Sequence, residues 1–66
     1  MIQVHNLRRV GTEKPEEFEL TFKDLENKNE GYYETIVYGT ESYVGTVLRN
    51  GGIAAPTIDS LFKNAR

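Results

Sequence analysis

The chain has no cysteine, so no disulfide can staple it and no thiolate is available for zinc. This is compatible with a reducing compartment. Its single histidine, His5, cannot hold a metal without carboxylate help, and neither a metal nor a cofactor is expected. Long apolar runs are missing too. None approaches the ~20 residues that a membrane helix needs. The opening MIQVHNLRRV interrupts its apolar residues with His5, Arg8 and Arg9, so it lacks the apolar stretch of a secretion signal. The expectation is a soluble, cytoplasmic protein with no membrane partner.

Positive charge is scarce. Eight Lys and Arg stand against ten Asp and Glu, for a net charge of −2. Residues 1–39 carry a net −3 and residues 40–66 a net +1. Binding to nucleic acid by counterion release calls for a clustered basic patch. The balance therefore disfavours nucleic acid and favours a protein partner.

Catalytic signatures are also wanting. The NGG of Asn50 to Gly52 lacks the spaced glycines, the lysine and the following hydroxyl of a nucleotide loop. Ser42 and Ser60 have no histidine near them in sequence for a triad. Glu13, Glu16, Glu17, Glu19, Asp24, Glu26 and Glu30 gather in polar stretches that read as wet surface, because a chain this short can scarcely enclose a pocket. No enzymatic activity is expected.

What is present describes architecture. Sixty-six residues make one small domain, with a sheet region over 1–39 and a helical hairpin over 40–66. So short a chain buries only about 60% of its unfolded surface, and unstapled domains of this size often gain stability by oligomerising. A homodimer is therefore one expected state.

Ile2, Val4 and Val10 suit a strand with one apolar face. Leu7 has the opposite parity, which implies a bulge near Asn6. Gly11 and Pro15 mark a charged connector. Phe18, Leu20 and Phe22 then alternate with Glu19, Thr21 and Lys23 in the clearest period of two in the chain. KDLENKNEG, from Lys23 to Gly31, is a polar loop. YYETIVYG, from Tyr32, is rich in β-branched and aromatic residues. Both its parities are partly apolar, so it is expected to be the middle or most-covered strand.

SYVGTVL, residues 42–48, fits either a strand or a helix. Thr40 as N-cap, Glu41 in the first turn and Arg49 in the last favour a helix over about 41–50, with Gly45 a weak point. Gly51 is expected to end it in the left-handed conformation. Thr57 then suits the N-cap of a second helix carrying Ile58, Leu61, Phe62 and Ala65 on one stripe. The expected fold is α+β: a small three-stranded antiparallel sheet followed by two short helices, β-β-β-α-α.

Three features compete as functional sites. Two short helices joined by a turn resemble a DNA-reading unit, but the expected connection from Gly51 to Pro56 is long for one and Asp59 opposes phosphate. Arg8, Arg9 and Arg49 are candidate anion contacts, although Arg8 and Arg9 point to opposite faces of a regular strand. The third feature is the tyrosine density. Tyr32, Tyr33, Tyr38 and Tyr43, with Val37, form the candidate protein interface, since tyrosine is enriched at such surfaces. The leading expectation is a small non-enzymatic binding or adaptor module, such as an accessory subunit or inhibitor. A nucleic-acid-binding regulator using the 41–66 helix pair is the alternative.

Overall fold

A computed structural model describes residues 1–25 and 34–66, and shows a three-stranded antiparallel sheet followed by two helices. The strands are β1 (Ile2–Arg9), β2 (Glu17–Asp24) and β3 (Thr35–Thr40), and the helices are α1 (Glu41–Asn50) and α2 (Ala55–Ala65). The β-β-β-α-α order is the expected one. The strands lie in the order β1-β2-β3.

β2 is central, and its alternation explains the two faces of the sheet. Phe18, Leu20 and Phe22 are buried on one side, while Glu19, Thr21 and Lys23 lie on the other. Each fully buried side chain of this size contributes roughly 1.5–3 kcal/mol. In β1 the pairing runs from Val4 opposite Phe22 to Asn6 opposite Thr21, so His5 is an extra residue. This bulge reverses the parity and turns Leu7 onto the same buried face as Ile2 and half-buried Val4. The register change expected near Asn6 is present.

β3 is not the middle strand. It is an edge strand, bonded to β2 alone among the described residues. Its two apolar parities have different fates. Val37, opposite Leu20, packs against the core, whereas Ile36 and Tyr38 face the uncovered side.

Both helices cover the Phe18 side of the sheet. Val44 and Leu48 from α1 and Ile58 and Phe62 from α2 complete the core. The rings of Phe18 and Phe62 meet edge to face, 5.0 Å between centroids at 82°. Such a pair adds roughly 0.5–1.5 kcal/mol beyond burial. Among the described residues no polar or charged side chain is buried.

α1 begins as its sequence implies, with the Thr40 hydroxyl accepting from the Tyr43 N–H at 3.4 Å and Glu41 in the first turn. Its end differs by one residue. Gly51 has φ −80°, and the left-handed residue is Gly52 at φ +93°. The Gly52 N–H reaches the Arg49 carbonyl at 3.0 Å and the Ile53 N–H reaches that of Leu48 at 3.1 Å. This bond pair defines a Schellman cap with Gly52 just past the helix.

Thr57 is not a cap. α2 starts two residues earlier than Thr57, and its N-cap Ala54 offers no side-chain bond. Pro56 falls in the first turn, where a missing N–H leaves no bond unmade, so the helix runs through it. The connection between the helices is accordingly four residues, 51–54, and not the longer one expected.

Candidate functional site

Among the described residues the helices leave one face of the sheet open, and the registers define what lies on it. Arg8 stands opposite Glu19, and Glu19 opposite Tyr38, in a row across all three strands. The Nε and Nη2 of Arg8 donate to the two Glu19 carboxylate oxygens at 3.0 and 3.1 Å. The Tyr38 hydroxyl donates to the same carboxylate. The bonds from Arg8, and then from Tyr38, hold the Glu19 carboxyl below the usual carboxylate range. The carboxylate in turn pushes the Tyr38 phenol above its ordinary value, chiefly because the hydrogen bond favours its neutral form. Both shifts run away from neutrality, opposite to what a general base and general acid require near pH 7. The row is a strap across the sheet, and its charge is internally satisfied.

The other basic side chains of β1 are similarly engaged. His5 Nδ1 bonds Glu34. Arg9 turns to the other side, as alternation requires. There its guanidinium donates to the Gly11 carbonyl at 2.7 Å and the Thr12 carbonyl at 3.2 Å, and pairs with Glu16 at 3.9 Å. Arg8 and Arg9, named as anion contacts, are therefore committed within the chain. Arg49 is exposed, but the groove between the helices that it lines also holds Glu41 and Asp59. That sign is wrong for a phosphate.

The apolar part of the surface lies elsewhere. Ile36, Tyr38 and Tyr43 are 55%, 59% and 55% exposed. All three border β3. Ile36 and Tyr38 project from its open face. Tyr43, at the start of α1, lies against Gly39 on the core side of the strand, so close that a Cβ there would stand 2.5 Å from the ring. Gly39 is thus what lets an aromatic ring rest on the end of β3. The strand between them, TIVYGT, has no charge and no proline.

Of the interface residues named from sequence, Tyr38 and Tyr43 border this strand on opposite faces, and Val37 turns inward to the core. Tyr32 and Tyr33 lie outside the described residues. Ile36 was missed. Its parity relative to Val37 was the available signal, and it becomes readable only once β3 is known to lie at an edge.

Among the described residues no group of three or more His, Cys, Asp or Glu could hold a metal ion, and no helix is long and apolar enough to cross a membrane. No protein-family model, no curated protein and no solved structure matches the chain.

Proposed function

We propose that this chain is a small, non-enzymatic protein-binding module whose contact surface is the rim of β3. One observation carries the proposal: three of the five large apolar side chains exposed among the described residues, Ile36, Tyr38 and Tyr43, flank a single uncharged edge strand. Edge strands present unpaired backbone donors and acceptors, and aromatic residues are favoured in protein contacts. Together they make a surface that offers both main-chain bonds and apolar area, the combination used in strand addition. An accessory subunit or inhibitor acting in the cytoplasm fits this role.

The test is a parallel capture experiment. Immobilised parent protein, the Ile36→Ser/Tyr38→Ser variant and a Thr46→Lys control on the exposed face of α1 are exposed to the same lysate. Proteins recovered by the parent and the control but lost from the double variant support the rim. Equal recovery by all three, or none by the parent, overturns it.

A nucleic-acid reading of the 41–66 pair is favoured by one feature, the four-residue turn with two glycines, which falls within the range of helix-turn-helix units. It ranks second because the early exposed residues of α2 are Ala55, Pro56, Thr57, Asp59 and Ser60, with no cation to meet phosphate. Flat binding to DNA and RNA in low-salt titrations would remove it.

A further inference from the structure

The two edges of the sheet are treated differently. β1 is broken by the His5 bulge, carries Arg8 and Arg9, and has its first amide taken by the Gly51 carbonyl at 3.0 Å. Bulges and charges are the usual protections against strand-to-strand pairing. β3 has neither device. No charge or proline interrupts its six residues, and its pairing with β2 runs without a register shift. Its flanking carboxylates are already matched, Glu34 to His5 and Glu41 to Arg66.

We propose that the occupant of this edge is β3 of a second copy of the chain, paired antiparallel about a two-fold axis through Val37. The proposal rests on the reading of the β3 rim as the contact surface and names its partner. A two-fold axis perpendicular to a sheet keeps each face on its own side, so residues of like face must stand opposite one another. With the axis at Val37, Ile36 of each copy lies opposite Tyr38 of the other on the open face. Thr35 lies opposite Gly39 on the helix face, next to the Tyr43 ring. Aromatic with β-branched is a favoured cross-strand pair. Glu34 falls opposite Thr40, so no like charges face each other. The strand is thus complementary to its own reverse. The product is a six-stranded sheet with all four helices on one side, and both copies lose their unprotected edge.

Charge exchange at the two apolar positions tests both the partner and the register. The Ile36→Lys/Tyr38→Lys and Ile36→Glu/Tyr38→Glu variants are prepared separately, and circular dichroism checks that each is folded. The expected results from analytical ultracentrifugation are twice the 7.5 kDa chain mass for the parent, the single-chain mass for either variant alone, and the doubled mass again when the two are mixed. A parent that stays at the single-chain mass at high micromolar concentration overturns self-pairing, while the capture experiment above still decides whether the rim binds another protein. A parent dimer that survives in both variants places the contact elsewhere and also overturns the proposal. If either variant fails to fold, a Val37→Cys chain replaces the pair. Its oxidation to a linked dimer at dilute concentration, with a Thr46→Cys control remaining single, supports the axis at Val37. Equal linkage of the two overturns it.

Discussion

Ile2 and Gly51 are joined twice. The Ile2 N–H donates to the Gly51 carbonyl at 3.0 Å, and the Ile2 side chain fills the space of the absent Gly51 side chain. A Cβ on Gly51 would stand 2.6 Å from both Cγ1 and Cδ1 of Ile2. The first strand is thereby locked to the end of the first helix.

Gly51→Ala should destabilise the fold by about 1–3 kcal/mol, the usual cost of overpacking a filled site. The loss should shrink when Ile2→Ala is made in the same chain. Gly52→Ala should also destabilise, by about 1 kcal/mol, because its φ of +93° resists a side chain, and this loss should not depend on Ile2. Chemical melts of the single and double variants form the cycle that separates them. Additive losses for Gly51→Ala and Ile2→Ala would refute the steric account.

Gly45→Ala should stabilise by about 1 kcal/mol. Glycine is costly inside a helix, and the added Cβ would meet Phe62 at 3.7 Å, an ordinary contact. A lower melting temperature would mean that the packing of α1 on α2 is tighter than that distance implies.

Ala54→Ser should stabilise by about 0.5–2 kcal/mol. The residue already has an extended backbone at φ −69° and ψ 148°, and a hydroxyl there can accept from the first free N–H groups of α2. Thr57→Ala should then be nearly neutral, since Thr57 lies within the helix. Thermal melts that rank the two changes the other way would return the cap to Thr57.

The strap across the open face sets two pH limbs. Glu19 has its carboxyl lowered on folding, so its contribution is complete above the ordinary carboxylate range and fades as pH falls through the folded value. Tyr38 has its phenol raised, so its contribution is complete below the ordinary phenol range and fades as pH rises through the folded value. Carboxyl titration by NMR should show the Glu19 value moving upward in Arg8→Gln, and moving upward less in Tyr38→Phe. A larger shift in Tyr38→Phe would reverse the order of the two bonds.

Local chemistry was legible in the sequence where both partners lie close together. Thr40, Glu41 and Arg49 mark α1 because caps and dipoles act within one turn. Leu7 disclosed the bulge because a parity break is itself local. The order of strands is not local. Tyr38 and Val37 show that β3 has two apolar parities, but only its pairing with β2 decides which parity meets the core. The same limit explains the glycines. Gly51 and Gly52 fit a helix end equally well, and Ile2, distant in sequence, occupies the space beside Gly51. Ala54 misled for the opposite reason, since it begins a helix without any capping group to announce it.

The placement of both helices on one face has a consequence for the chain as it folds. All three strands precede residue 41, and among the described residues the side chains that cover Phe18, Leu20 and Phe22 from above come after it. The sheet and its roof therefore come from separate stretches of chain, and the apolar face stays open until both helices have folded back onto it. Until then two sticky features coexist, an apolar face without its helices and a β3 edge that no other described strand pairs. The speed with which residues 41–65 dock would then set how much of the chain escapes aggregation while it folds.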